Sequence, residues 1–478
     1  MTRYLEKTAL RARVSIFFGA VITSAAIAAA CGSDDSSIFG GGPDGGGGFT
    51  DGSIITPGDG GGFVSGDSST PVGPIVIAPA DKVLDVTSGG TLPTISYAAT
   101  VGGVAVTPAW SIDRGEIGSI DVASGVFTPS GKLGGKATIS ATLGANVATT
   151  SVTVFFHVVQ NGAGADDDAG VGDAGPGAGG FGGVGGYGIG GPVADPTIFP
   201  GTPTTDTNLK MLYPYDGTVW PRGLLAPLLQ WTSDKTWDGL YIHIQEAAYE
   251  YTGTFAIPTG APAFDETPIP IDAWNQMAES NAGENVTITL ELSSGGVVYG
   301  PMTETWKIAN APLEGIVYYQ SYGTNLATNF GGALPDSHRF GAATLGIHPG
   351  ATAPVLVAGS TTADSSGCRV CHSVSADGSM LVDKWSDDVT TSAYDLHGDA
   401  GSNQLEVQDG GLNLAWPAVA PNGAFAYTDS SNAVGSTNNP SALFWIPSGD
   451  PVTSSGDPSG LRAAFPSFSP DGKHVAFT

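Results

Sequence analysis

Basic residues are scarce in this sequence: 17 Lys and Arg stand against 45 Asp and Glu among 478 residues, a formal charge of −28. A surface that acidic repels phosphate backbones, so nucleic acid is excluded as a partner class. Cysteine is rarer still, with 3 in the chain, which gives each thiol a designated place. Beyond residue 30 there is no continuous apolar run of about 18 residues, the length a membrane-spanning helix needs. The patterns H-E-x-x-H, G-x-S-x-G and the P-loop are absent, and no pair of carboxylates has a spacing that implies general acid and base roles. These absences lean the chain away from enzymes.

Glycine is what the chain has in excess, 72 residues alongside 33 Pro, so much of it is turn and linker. The 41% of hydrophobic residues and 9 Trp nonetheless supply enough apolar surface for packed cores. Val, Ile and Thr are frequent and runs at helical period are few, which predicts an all-β protein. Two stretches interrupt it: Gly32–Gly66 with 14 Gly in 35 residues, and Asn161–Gly191 with 15 in 31. Neither buries enough surface to offset its ordering entropy, and each is expected to be a flexible coil of about 30 Å root-mean-square span. The run Asp166-Asp167-Asp168 lacks the alternating ligands of a Ca²⁺ loop and reads as solvated linker. The resulting division is an export segment 1–30, a tether 31–70, a sandwich 71–159, a linker 160–195, a second sandwich 196–311 and a partial propeller 312–478.

At the amino end, Arg3, Lys7, Arg11 and Arg13 form a basic segment, Val14–Ala30 is mostly apolar, and Ala28-Ala29-Ala30-Cys31 sets small residues directly before a cysteine. That is a processing pattern rather than fold. It resembles a bacterial lipoprotein signal, which implies lipid modification of Cys31 and anchorage to a membrane of the cell envelope, facing periplasm or cell surface. A plain cleavable signal and an uncleaved single-span anchor are the alternatives.

Between the glycine-rich stretches, β-branched runs such as Ala137–Thr142 and Thr149–Val154 alternate with turns. The segments Trp110–Asp113, Ile120–Thr128 and Gly134–Ala141 resemble the bacterial Ig-like domain, group 2. The resemblance implies a core tryptophan at Trp110, turn glycines at Gly125 and Gly134, and a spacer or binding module. In the next unit Leu240, Ile242 and Ile244 alternate with Tyr241, His243 and Gln245, and Val286, Ile288, Leu290 and Leu292 do likewise. Period two with one buried face means antiparallel strands. This places His243 on a polar face as a solvated side chain, and one short helix is expected over Trp274–Ser280. Pro214, Gly217, Pro221 and Trp231 resemble the opening of a fibronectin- or Ig-like module.

Three segments near the carboxyl end align without gaps: Cys371–Val382, Trp416–Tyr427 and Phe465–Ala476, with turn glycines at Gly378, Gly423 and Gly472. A strand, an Asp/Asn-Gly turn and a second strand, repeated every 40 to 50 residues, is a propeller signature. The form Ser469-Pro470-Asp471-Gly472-Lys473 resembles the WD-like repeats of TolB-type β-propellers. Tyr394–Leu396 and Leu443–Ile446 are then later blade strands. The chain stops at Thr478 inside a third aligned unit and so reads as a fragment.

One motif carries sharp chemistry, Cys368-Arg369-Val370-Cys371-His372. Two thiols three residues apart can add to the two vinyl groups of a haem, and the histidine that follows can reach the iron. The five residues resemble the attachment site of c-type cytochromes, which implies haem c on Cys368 and Cys371 with His372 as proximal ligand. His348 and His338 are the candidate distal ligands; Met380, eight residues from His372 across a tight turn, is poorly placed to share the iron. A Cys368–Cys371 disulfide, and a zinc site completed by His338, His348 or His397, stay open beside the haem. Two functions follow: a lipid-anchored envelope protein passing electrons to a redox partner or sensing redox state, or a surface scaffold whose propeller binds an extracellular protein or glycan ligand.

Overall fold

The computed structural model describes residues 73–163, 188–199, 201–257, 265–324, 326–327, 341–359, 369–385, 391–396, 403–405, 417–428, 441–453 and 461–478. The export segment with Cys31, the first tether, Asp166–Asp168, Cys368, His338, His397 and Trp416 lie outside the described residues. What is described is all-β, with one α-helix, Ile271–Ser280, where the short helix was expected.

Alternation in the sequence becomes burial in the strands. Leu240, Ile242 and Ile244 are inside in Gly239–Gln245, as are Val286, Ile288, Leu290 and Leu292 in Asn285–Ser294. The two strands pair antiparallel, with Leu240 opposite Leu292 and Ile244 opposite Ile288. Trp110 is buried against Tyr97, ring centroids 6.0 Å apart. The helix closes the second sandwich: Trp274 packs edge-on against Trp220 and Trp306, and its indole donates to the Leu224 carbonyl at 2.7 Å.

The two sandwiches are joined by a strand. Asn146–Asn161 pairs antiparallel with Gly135–Leu143 inside the first sandwich, then continues in parallel with Tyr249–Ala256 of the second, Phe156 opposite Tyr249 and Asn161 opposite Thr254. A nine-stranded sheet therefore runs through both, and their buried side chains form a single apolar cluster. The ends of the second glycine-rich stretch also meet. Ala163 donates to the Gly190 carbonyl at 2.9 Å, and Asn161 and Val193 exchange side-chain to backbone bonds of 3.0 and 3.3 Å. The two described ends of the stretch therefore lie side by side at the sheet.

Two expectations are corrected at this seam. Gly134 is not a turn glycine; a Cβ there would lie 1.8 Å from the Ala248 carbonyl oxygen of the second sandwich, so its missing side chain permits the close approach of two backbones. Gly125 does serve a turn, at φ +70°. His243 is half-buried rather than merely solvated, because the imidazoles of His157 and His243 both hydrogen-bond to Glu250, at 3.0 and 2.9 Å across three neighbouring strands. Those contacts, His243 first, hold the Glu250 carboxyl below its ordinary range.

Beyond the sandwiches come four small antiparallel sheets in chain order. The first comprises Val317–Thr324, Gly341–Ile347 and Val355–Ala358; the second Arg369–Val374, Met380–Trp385, Thr391–Asp395 and Asn403–Leu405. The third comprises Ala418–Val419, Phe425–Tyr427 and Leu443–Trp445, and the fourth Ser467–Phe468 and Val475–Ala476. Each packs on the next: Val357 and Ala358 meet Leu381 and Tyr394, Val382 and Ala393 meet Val419, and Phe425 stacks edge-on to Phe468. The repeat turns touch in series too, with Asp377 donating to the Pro421 carbonyl at 3.0 Å. Gly378, Gly423 and Gly472 adopt φ of +71°, +69° and +68°, the left-handed conformation that explains the repeated glycine. The first of these blade-like sheets has no Asp/Asn-Gly turn, which is why the repeat did not include it.

Two measurements check the seam. Gly134→Ala is expected to destabilise the protein by about 2–4 kcal/mol in urea unfolding, because backbone rather than a flexible side chain must yield. Glu246, buried at the same junction beside Asn281, has its carboxyl pushed up to about 8 by burial. The unfolded chain releases that proton near 4.5, so the folded state binds more protons in between and stability falls as pH rises from about 4.5 to about 8. Glu246→Gln is expected to abolish that fall and to exceed the wild type at pH 9 by on the order of 1–3 kcal/mol in chemical denaturation.

Candidate functional site

The strand Arg369–Val374 carries four of the five motif residues. Its pairing with Met380–Trp385 is irregular: Val370 opposes Lys384 and Ser373 opposes Val382, so Cys371 and His372 together face the single residue Asp383. This is a β-bulge, and Cys371 takes the left-handed φ of +57° within it. A regular strand sends consecutive side chains to opposite faces. The bulge breaks that alternation at Cys371 and His372.

His372 lines a cavity of about 620 Å³ between the first and second blade-like sheets, with Ile316 and Tyr318 on one side and Val374, Asp377 and Leu396 on the other. The size falls within the usual span of small-molecule sites, about 300–1,000 Å³. Burial lowers the His372 imidazole, and a hydrogen bond to the Tyr318 backbone opposes that shift. The lowered value keeps the ring neutral at pH 7, the form that ligates a metal. A backbone partner on the ring is the arrangement that orients ligating histidines. These features fit a haem held through this segment. The other cysteine of the motif, Cys368, lies outside the described residues.

Of the distal candidates, His348 follows the strand Gly341–Ile347, whose register, Val317 opposite Ile347, brings it level with Ile316 at the cavity. His348 itself does not line the cavity. Its loop contacts the second sandwich, where Gly350 donates to the Gly223 carbonyl at 2.8 Å. Met380 packs with Val382, Ala393 and Val419, between the second and third sheets and away from the cavity. No cluster of three or more His, Cys, Asp or Glu able to hold a metal ion occurs among the described residues.

Sequence reasoning missed what surrounds Arg369. Its side chain is 6% exposed and that of Asp383 0%, with Nε 3.7 Å from Asp383 Oδ1. The same Nε donates to the Tyr394 hydroxyl at 2.7 Å, and Gln320 donates to the Arg369 carbonyl. Burial pushes the Asp383 carboxyl well above its ordinary range, and the guanidinium beside it offsets only part of that shift. An arginine between two cysteines gives no sign in the sequence that it points inward.

No known protein family matches the chain, and no curated protein matches it in sequence. Among solved structures, it is similar to the fibronectin(III)-like modules of CbhA from Clostridium thermocellum at 13% identity and TM-score 0.16, over 50% of this chain and 97% of that one. It is similar to the oligogalacturonate lyase of Vibrio parahaemolyticus at 14% and 0.24, over 57% and 64%. TolB from Acinetobacter baumannii aligns at 12% and 0.22, over 51% and 58%. The chain thus spans less than two thirds of the last two, and at such overlaps the architecture rests on its own strand pairing. Among the described residues no helix is long and apolar enough to cross a membrane.

The buried pair is open to test. Asp383→Ala leaves the buried Arg369 guanidinium without its partner and is expected to cost about 3–5 kcal/mol in denaturant unfolding.

Proposed function

We propose that this chain is an exported, lipid-anchored, multidomain β protein that carries one covalent haem c on its blade-like sheets, for electron transfer or redox sensing at the cell envelope. The observation that carries the reading is the bulge, which puts Cys371 and His372 opposite one residue and His372 against a cavity large enough for a ligand. Cys368 and Cys371 are the thioether positions and His372 the proximal ligand. The group, when bound, supplies a one-electron iron couple. The chain's own part is to keep the His372 imidazole neutral by burial, to orient it through the Tyr318 backbone, and to wall the site with Ile316, Val374 and Leu396. His348 and His338 remain the distal candidates, and Cys31 the lipid anchor. The partners are then the membrane and a redox protein.

A second reading draws on the shared sheet. Two sandwiches fused by Phe156–Asn161 form a stiff arm, which suits a non-enzymatic surface scaffold whose blades bind a protein or glycan and whose cysteines form a disulfide.

Intact mass and a haem stain on a denaturing gel separate the two. The full chain, exported in a host with c-type maturation, is expected to gain the mass of one haem and a stain that survives denaturation, with Cys371→Ser losing both. A loss of two hydrogens and no stain overturns the haem and leaves the scaffold.

A further inference from the structure

The polar cluster around Arg369 has no part in holding a ligand, yet it is built into the motif. Through their partner strand, Arg369 and Val374 share one face: Arg369 opposes Trp385, Val374 opposes Leu381, and Asp383 stands between. That face is the buried one, with Leu381 and Asp383 both 0% exposed and Val374 packed on the Leu381–Tyr394 cluster. Two inward residues five positions apart cannot both satisfy a period of two, so the strand needs one extra residue somewhere between them. Apolar packing is non-directional and demands only that a bulge exist. It does not say where.

Directional contacts do. On the amino side Arg369 is held by three contacts: its Nε donates to the Tyr394 hydroxyl at 2.7 Å and lies 3.7 Å from Asp383 Oδ1 as an ion pair, and its carbonyl accepts from Gln320. On the carboxyl side the Ser375 hydroxyl accepts from the Ser379 and Met380 amides, both at 3.0 Å, and donates to Asp377 at 2.7 Å. Between these abutments lie Cys371 and His372, and the residue opposite them is Asp383, the one that holds Arg369.

We infer that Arg369 is a positioning residue for His372: its pairing with Asp383 places the bulge at Cys371–His372 rather than elsewhere between positions 369 and 374, and so holds the imidazole against Tyr318 at the cavity. The inference rests on the haem reading only for what His372 ligates; the positioning is a property of the chain itself.

The test uses the full chain prepared without haem, with His372 carbethoxylation by diethyl pyrocarbonate followed by peptide mass mapping. The double variant Arg369→Met with Asp383→Leu replaces the buried pair by apolar side chains, which commonly preserves stability. It is expected to melt close to the wild type while His372 reacts about five-fold faster, as the imidazole leaves its backbone partner. An unchanged rate in the folded double variant overturns the inference. Should that variant not fold, Arg369→Lys keeps the charge without the planar fork and is expected to raise the rate about two-fold; no rise there overturns it equally. Haem-loaded samples separate the two readings. If the wild type takes no haem but His372 reactivity still rises in the variants, the proposed function fails and the positioning stands. If haem attaches and the rates do not move, the positioning alone fails.

Discussion

Backbone pairing along one strand is the constraint on which the arrangement of both sandwiches depends. Asn146–Asn161 spends its first half inside one module and its second half as a neighbour of Tyr249–Ala256 in the other. Parallel neighbours cannot be joined by a tight turn, so the chain must travel through a long connection before it returns to pair. Everything at the seam accommodates that pairing: a glycine where Ala248 comes close, a carboxylate shared by two imidazoles, and a common apolar interior. The blade-like sheets hang from the same frame, since Leu313 donates to the Arg222 carbonyl and Gly350 to that of Gly223.

At the motif the governing rule is parity. A strand offers its side chains alternately, and a buried arginine and a part-buried valine on one face, five positions apart, can coexist only if the backbone gains a residue. The second blade-like sheet thus converts a conflict between two core positions into a local distortion, and the distorted residues are a cysteine and a histidine. Pairing is regular on both sides of the distortion, and the Tyr318 backbone of the neighbouring sheet hydrogen-bonds to the His372 ring.

The parts legible in the sequence are those in which a side chain reports its own surroundings. Leu240, Ile242 and Ile244 announce a half-buried strand because each must leave water, and Gly378, Gly423 and Gly472 announce turns because each needs a left-handed backbone. The fusion of the two sandwiches was illegible, since strand edges pair through amides and carbonyls that every residue possesses. His243 looked solvated because its partner Glu250 comes from the next strand and not from its own. Gly134 was legible as important and misread as a turn: absence of a Cβ serves a bend and a close contact alike. Arg369 gave no sign of its burial because charge ordinarily signals solvent, and Asp383 and Tyr394, from two later strands, reverse that expectation.

The glycine-rich stretch whose two ends meet at Asn161 and Val193 has a mechanical meaning. Tension entering the first sandwich passes to the second through the strands that pair directly, Phe156–Asn161 along Tyr249–Thr254, and the Asn161–Val193 clasp sits beside that pairing. The shared sheet therefore carries load between the modules as one element, and separating them requires its paired strands to part together.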